Sequence, residues 1–471
     1  MRGNHVEAFI DGAAYFTAID EELDALLTGS PAGKYFYLSA WWLGLVPLAD
    51  PTKVRTVGDT AIKLAESLGA LKEWQITRAR PAWDLPKSGR RLLARLTALA
   101  QQGVDVRVLA WTSPFCAKYE AVAKQEMGLA ALNAQTILSV QALRDAHLRL
   151  YDRVMLNLVA HPMGAAHLKL VICGDDTSMR AYTGGLDPAD GRLTPPGQPA
   201  GWHDVAVRVQ GPAALAIYRH YQQLWEEQRK SRPEIFHIAG KEIVSHTEDT
   251  ARVPDRVQAA PPGKADHLVQ VLRTVPAMRF SSTGSSLLNV NPVLRTVLLK
   301  ATGFSRQPIS FAPVGLFEFK TALRKAIAGA ERYVFIADQA FSAQEVMGWL
   351  NERLLERPGL KVILLYGADP DDTPRGLFRE AMVNHLLKGL PDDPVTGQPR
   401  GVVCYGWPGT SVHAKVAIVD DAWCAVGSAN CMRRSLYTDV ELSVGVIDAT
   451  DPANGPSFAK LLRRGGAGRK S

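Results

Sequence analysis

Two pairs of basic residues are the part of this sequence best suited to chemistry on an anion. His167 and Lys169 stand two positions apart in AHLKLVI, and His413 and Lys415 do so in VHAKVAIVD. In a strand, side chains at i and i+2 project from the same face, so each pair sets an imidazole beside an ammonium. An imidazole can attack phosphorus or carry a proton, and an ammonium can neutralise phosphate charge. The spacing therefore indicates chemistry on a phosphate ester.

Each pair is followed by a glycine-led turn and then by a strand that opens with an acid. In chain order the residues are Gly184, Gly185, Asp187 and Asp204 in the first copy, and Asp420, Gly427, Ser428, Asn430 and Glu441 in the second. Asp204 and Glu441 hold matching places in the two copies. We expect each to accept a hydrogen bond from the imidazole of its own half and so to orient it.

The second copy resembles the HKD motif of the phospholipase D superfamily, with the pattern His413-x-Lys415-x4-Asp420-x6-Gly427-Ser428-x-Asn430. The resemblance covers nearly the whole chain. GGLDPADGR (184–192), WHDVAVRVQGPA (202–213) and HLVQVLRT (267–274) resemble segments of the phospholipase D enzymes within that superfamily. The resemblance to this superfamily implies that one histidine forms a phosphohistidine and that the other protonates the leaving alcohol. His167 is assigned as the nucleophile on this basis, although the residues themselves allow the reverse order.

The resemblance also implies a set of site residues. The catalytic set is His167, Lys169, His413, Lys415, Asp420, Asn430, Asp204 and Glu441, and the substrate-binding set is Gly184, Gly185, Asp187, Gly427, Ser428 and Gln339. The lysines and the polar turn residues would surround the phosphoryl oxygens. No metal or other cofactor is predicted, because neither half has carboxylates and histidines at ligand spacing.

The first copy departs from the HKD pattern. Gly174 stands where an acid is expected, Asp175 and Asp176 follow it, and the stretch up to Gly184 is three residues longer than its counterpart. We predict a lengthened hairpin that leaves His167 in register, because hairpin loops absorb insertions best. The role of either aspartate stays open.

The elements around these motifs repeat once along the chain. FTAIDEELDALLTG leads into KYFYLSAW, and FKTALRKAIAGAE leads into RYVFIADQAF, each as an amphipathic helix before a buried strand. The pattern predicts an α/β fold of two similar lobes with mostly parallel sheets, related by a pseudo-two-fold axis with the active site between them. We place the first lobe at 1–231, a linker at 232–265 and the second lobe at 266–471.

Composition limits the partners. A net charge of +7 and a pI near 9.1 favour an anionic surface, whether phospholipid or nucleic acid. The longest uncharged apolar stretch, 35–49, is shorter than the roughly 20 residues of a spanning helix. The five scattered cysteines predict neither a disulfide framework nor a zinc site. Because the first residues show no secretory pattern, we expect a cytoplasmic protein that binds membranes peripherally. We expect Trp41, Trp42, Trp83 and Trp111 to lie in the core rather than at a lipid entrance.

Four functions compete on this sequence. The leading one is hydrolysis of a glycerophospholipid at a membrane surface to phosphatidate and a free head group, with transfer to an alcohol as a variant. A cardiolipin synthase-like phosphatidyltransferase would use the same chemistry. A nuclease of the superfamily is disfavoured, because no interleaved aromatic and basic patch suggests a single-strand platform. An inactive membrane-binding homologue is disfavoured by the retention of His167 and Lys169. The sequence does not indicate an oligomeric state.

Overall fold

The structure is a computed structural model, and it describes residues 1–46, 87–113, 127–161, 164–198, 201–238, 241–256, 267–280, 306–368, 373–395, 397, 399–448 and 458–466. Trp83 and the last part of the expected linker, 257–265, lie outside these ranges. Within the described ranges no helix is long and apolar enough to cross a membrane.

The first half is built on one sheet flanked by helices. Its strands are β1 (His5–Ile10), β2 (Tyr35–Ala40), β3 (Asp105–Trp111), β4 (Val154–Asn157), β5 (Leu170–Gly174), β6 (Met179–Gly184), β7 (Gly201–His203) and β8 (Val205–Gln210). Its helices are α1 (Asp11–Leu27), α2 (Lys87–Gln102), α3 (Met127–Ala146), α4 (Leu148–Tyr151) and α5 (Pro212–Arg229), with a 3-10 helix at Asp190–Leu193. The seven-stranded sheet has the order β1-β8-β6-β5-β2-β3-β4.

The second half repeats this plan. Its strands are β11 (His267–Val275), β12 (Met278–Phe280), β13 (Arg306–Pro308), β14 (Leu316–Phe317), β15 (Tyr333–Asp338), β16 (Lys361–Ala368), β17 (Val402–Pro408), β18 (Thr410–Val412), β19 (Lys415–Val419), β20 (Trp423–Gly427) and β21 (Glu441–Asp448). Its helices are α6 (Glu318–Ala328), α7 (Gln344–Glu356), α8 (Thr373–Leu387), α9 (Arg433–Tyr437) and α10 (Phe458–Gly466). The eight-stranded sheet has the order β14-β11-β21-β20-β19-β15-β16-β17.

The two strand orders match from β1-β8-β6 and β11-β21-β20 onward, so the predicted α/β fold with two similar lobes is confirmed. The expectation of mostly parallel sheets was wrong. Within the described parts of the two large sheets, only β2-β3-β4 and β15-β16-β17 are parallel, because helical crossovers connect them. The motif strands form antiparallel hairpins. The division at 232–265 stays a prediction. Inside that segment β9 (Ile235–Ile238) and β10 (Lys241–Val244) pair as a hairpin whose Phe236 and Ile243 are buried against the first half.

One hydrophobic core joins the two halves. It contains Leu170 and Ile172 from the first sheet with Val416 and Ile418 from the second. The apolar face of α5 is buried in the same core. Each fully buried aliphatic side chain contributes about 1.5–3 kcal/mol of transfer free energy. The shared core therefore holds the two His-x-Lys strands in a fixed mutual position.

The hairpin after the first motif is longer only at the end away from the site. Leu170 pairs with Thr183 and Val416 with Val426, so the preceding lysines lie opposite Gly184 and Gly427 in the same register. The extra residues form a turn in which Asp175 Oδ1 accepts the backbone N–H groups of Thr177 and Ser178, both at 2.8 Å. Asp175 thus stabilises a turn, and exposed Asp176 lies beside it.

Candidate active site

The segments that carry the two histidines run along the acidic strands of the opposite half. The backbone N–H groups of His167 and Leu168 both donate to Val440 O, at 2.9 and 3.1 Å. Those of His413 and Ala414 both donate to His203 O, at 2.7 and 3.1 Å.

Val440 and His203 immediately precede the two acids, Glu441 and Asp204. Short parallel pairings extend these contacts, between β18 and β7 and at the Ala166–Val440 bridge. These backbone contacts therefore place each histidine beside the acid of the other half.

The two imidazole–carboxylate pairs are crossed between the halves. His167 Nδ1 lies 3.0 and 3.1 Å from the two carboxylate oxygens of Glu441, and His413 Nδ1 lies 2.6 Å from Asp204 Oδ2. Our expectation of pairs within each half was wrong. Within one sheet, β6 separates the acidic strand from the histidine strand, and two strand spacings amount to about 10 Å.

Both carboxylates are fully buried and fixed by donors. Glu441 accepts hydrogen bonds from the hydroxyls of Ser428 and Ser435, the latter at 2.6 Å. Asp204 accepts the Val205 N–H at 2.9 Å and the Trp202 indole N–H at 3.3 Å. A carboxylate held at Nδ1 favours the tautomer with hydrogen on that nitrogen, which leaves Nε2 for the reaction.

Burial sets the charge of these groups. It lowers the pKa of His167 and of His413 well below the ordinary value, and the lysine two residues on lowers each further. Burial also raises the pKa of Asp204 to about 6 and that of Glu441 to about 7. At neutral pH both imidazoles are therefore uncharged, which is the form that can act as a nucleophile or a base.

The lysines are buried beside their histidines. Lys169 Nζ donates to His167 O at 2.7 Å and lies 3.4 Å from Asp187 Oδ2. Lys415 Nζ donates to His413 O, and burial lowers the pKa of Lys415 to about 8. The two ammonium groups thus bring positive charge to the imidazoles from a site with little water, where charge acts more strongly than in solvent.

In each half an acid from a different element lies beside the lysine. Asp187, on the glycine-led turn, accepts the N–H groups of Trp41 and Trp42 after β2, at 2.9 and 3.0 Å. Asp338, at the end of β15 and opposite Lys415, accepts the Cys431 N–H from the turn at 2.8 Å. In both halves this acid links the end of a strand to the glycine-led turn. In the first half the acid stands on the turn, and in the second half it stands at the end of the strand.

Asp338 was missed by the sequence reasoning, which selected its neighbour Gln339. Gln339 is half-buried next to the site residue rather than in its place. The signal was an acid at the end of an otherwise apolar strand, YVFIAD. Asn430, the counterpart of Asp187, is buried, and its Oδ1 has no hydrogen-bond partner among the described residues.

Aromatic rings cover both imidazoles. The Trp41 ring meets His167 edge-on with centroids 5.6 Å apart, and it stacks on Trp111. The Trp202 ring lies 4.7 Å from that of His413, with the Arg192 guanidinium 3.6 Å from its centroid.

Trp41 therefore belongs to the site as well as to the core where we had placed it. Arg192 and Trp202 were missed as site residues, although both stand in the segments GGLDPADGR and WHDVAVRVQGPA. The sequence feature that could have identified them is a cation and an indole close to the acids of these two segments.

The glycines predicted to bind substrate instead allow close packing. A Cβ on Gly185 would lie 2.1 Å from Asp204 Oδ1, one on Gly184 would lie 2.5 Å from Val205 O, and one on Gly427 would lie 2.3 Å from Ser443 Cα. They leave room for the acidic strands. Ser428 likewise faces Glu441 through its hydroxyl and accepts from His167 through its carbonyl, so the structure assigns it to orienting the pair.

Asp420 lies away from the site, contrary to its predicted catalytic place. Its carboxylate accepts the backbone N–H groups of Glu331, Arg332 and Tyr333 at 2.7, 2.8 and 2.8 Å. It stands five residues after Lys415, about 16 Å along an extended strand. The motif aspartate ties the hairpin turn to the start of β15, because a short carboxylate there can accept amides that the turn leaves unpaired.

We expect kcat/KM to follow a narrow bell-shaped pH profile with its maximum between about pH 7 and 8. Burial raises the pKa of Asp204 to about 6 and that of Glu441 to about 7. Both carboxylates therefore lose their charge as the pH falls from about 7 to below 6. The lowered pKa of Lys415, about 8, means that its ammonium loses charge as the pH rises. Initial rates measured from about pH 5 to 9 check this. A flat profile would contradict the assigned charges, and Lys415→Arg should move the alkaline limb upward.

Some known proteins are similar to part of this sequence, and others share its fold. Residues 323–454 match the family described as cardiolipin synthase, PLD-like domain, and this stretch contains His413, Lys415 and Glu441 but not His167. Cardiolipin synthase B from Salmonella typhi, like that from Salmonella typhimurium, is 30% identical over 132 residues, which are 27% of this chain. The matched stretch spans 28% of each relative.

The fold is shared over a longer range. The crystal structure of phosphatidylserine synthase from Haemophilus influenzae Rd KW20 aligns with 98% of this chain and 92% of its own, with a TM-score of 0.50 at 12% identity.

Proposed function

Since this chain belongs to the phospholipase D superfamily, we propose that it is a phosphatidyltransferase that acts on a glycerophospholipid through a phosphohistidine intermediate. The observation that carries the proposal is the pair of crossed imidazole–carboxylate contacts, each with a buried lysine beside it. The partial match to cardiolipin synthases supports transfer to an alcohol over hydrolysis.

In the first step, Nε2 of His167 attacks phosphorus and the bond from phosphorus to the leaving alcohol breaks. The anionic phosphodiester opposes the burial that lowers the pKa of His413, so substrate binding favours uptake of a proton there. His413 then gives this proton to the leaving oxygen. Glu441 stabilises the positive charge that develops on His167 when its nitrogen bonds to phosphorus.

In the second step, His413 takes the proton of the acceptor hydroxyl, whose oxygen attacks phosphorus. The phosphorus–nitrogen bond breaks, and His167 returns to its starting state. The ammonium groups of Lys169 and Lys415 neutralise charge on the phosphoryl oxygens in both steps, as preorganised cations do. The order of the two histidines follows the family resemblance, and the geometry is symmetric enough to serve either order.

Hydrolysis in the manner of phospholipase D is the second candidate, favoured by GGLDPADGR and WHDVAVRVQGPA. Phosphatidylglycerol and phosphatidylcholine vesicles, incubated with and without added glycerol and resolved by mass spectrometry, separate the two. Transfer predicts new diesters, including cardiolipin from phosphatidylglycerol alone. Phosphatidate formed at the same rate whatever the acceptor would instead establish hydrolysis. Plasmid nicking without lipid turnover would overturn both, as would vesicle binding without any product.

We expect the activity to survive excess EDTA. In the proposed steps two lysines neutralise the charge of the phosphodiester and an imidazole gives the leaving group its proton, so these steps need no Lewis acid. Turnover of vesicle lipid before and after chelation, with detergent-dispersed substrate as the control for vesicle aggregation, checks this. Loss of activity in both substrate forms, restored by a divalent ion, would contradict it.

A further inference from the structure

A cavity of about 490 Å³ lies inside the first half, between α1, α2 and the sheet. Phe36, Leu38 and Val171 line it, and all three belong to the cluster that the sheet forms with its helices rather than to the core shared by the two halves. Its volume falls within the range of about 300–1,000 Å³ that is typical of small-molecule sites. The cavity is therefore large enough for a ligand and separate from the space between the lobes.

The cavity extends from the protein surface to the lysine of the first motif. At its outer end are exposed Ala13 and Thr17 on α1 and Leu193 of the 3-10 helix. At its inner end are buried Ser39 and Lys169. Lys169 also donates to the carbonyl of His167, so this one side chain lies between the cavity and the candidate active site.

We propose that this cavity holds one acyl chain of the phospholipid, with the glycerol end directed toward Lys169. The identity of the ligand rests on the function proposed above. The walls are mostly apolar, and Asp20 and Arg91 of the lining pair with each other at 3.1 Å. Such walls disfavour a sugar or a nucleotide, whose polar groups would lose hydrogen bonds to water without full replacement. A hydrocarbon chain loses nothing by leaving water, and each methylene that it buries strengthens binding. The cation at the inner end suits the ester and phosphate oxygens that follow the chain.

Two neighbouring residues of α1 provide a matched test. Ala13 lines the mouth of the cavity, whereas Ala14 lies outside the lining, and both are exposed, so tryptophan at either position should leave the core intact. The probe is dansylaminoundecanoic acid, displaced by saturated fatty acids of increasing length. We expect one probe per chain and about fourfold tighter displacement per added methylene until the cavity is full. Ala13→Trp should weaken binding about tenfold or more, and Ala14→Trp should not.

Activity gives an independent reading. The rate on a long-chain phospholipid divided by the rate on bis-p-nitrophenyl phosphate, which has no chain, should fall about tenfold in Ala13→Trp and stay at the wild-type value in Ala14→Trp. Absence of saturable probe binding, no chain-length dependence, or equal loss in both variants would overturn the acyl site. Probe binding that Ala13→Trp blocks in a protein that cleaves no phospholipid would keep the cavity assignment and overturn the proposed function instead.

Discussion

Replacing His413 by asparagine should lower phospholipid turnover by about 10³- to 10⁴-fold while the protein stays folded. Asparagine retains a donor toward Asp204 but has no second nitrogen to carry a proton to the leaving oxygen or from the acceptor. Loss of a positioned general acid and base costs about 10²- to 10⁴-fold, and here one residue performs both duties. Lys415→Ala should also reduce turnover by several orders of magnitude, because the ammonium beside His413 is lost.

The measurement is kcat on vesicle lipid, with circular dichroism and thermal unfolding to verify the fold. His147→Asn is the matched control, since His147 is a partly exposed N-cap residue of α4 and asparagine also caps helices. We expect the control to retain wild-type turnover. A folded His413→Asn protein with more than about a tenth of wild-type activity would rule out the role given to this residue.

The crossed pairing gives the second large effect, which a leaving group that needs no proton can isolate. With a phosphatidyl ester of p-nitrophenol, formation of the phosphohistidine requires the nucleophile but not the general acid. We expect Glu441→Gln to slow the burst of nitrophenolate by about 10²-fold or more, because the growing imidazolium at His167 loses its counter-charge. Asp204→Asn should retain the burst and lose the second step.

Rapid quenching with labelled lipid, followed by peptide mapping, identifies the labelled residue. With the labelled p-nitrophenyl ester, whose leaving group needs no proton, the expected result is acid-labile label on the peptide with His167 that accumulates in His413→Asn. If Asp204→Asn abolishes the burst and Glu441→Gln preserves it, with label on His413, the two histidines have exchanged roles while the crossing stands. If Asp204→Asn abolishes the burst with label still on His167, the crossing itself is wrong.

The sequence was informative wherever the controlling interactions are local. The apolar runs before Trp41 and after Glu331 predicted β2 and β15 correctly, because buried parallel strands require continuous apolar residues. The lengthened first hairpin could also be predicted, because a two-residue period fixes the register near the site whatever the turn does.

What the sequence could not supply was the placement of one half against the other. Asp204 and Glu441 were recognised as orienting acids, but the choice of partner depends on contacts 209 and 274 residues apart. The same holds for Asp338 and Asp187, since equivalent gaps in the two halves are closed by acids from non-equivalent positions. Asp420 was assigned to chemistry because it belongs to the motif, yet its contacts belong to the hairpin turn.

The crossing of the two pairs makes catalytic competence a property of the docked halves and of neither half alone. Each half holds a nucleophile-type imidazole and an acid that cannot reach one another, and a shift of about 1 Å between the sheets would loosen both pairs at once. Because one hydrophobic core joins the two sheets, heat inactivation should coincide with loss of the packing between the halves. A chain cut between the lobes would stay active while the fragments remain associated. Neither purified fragment would work, and mixing them would restore activity.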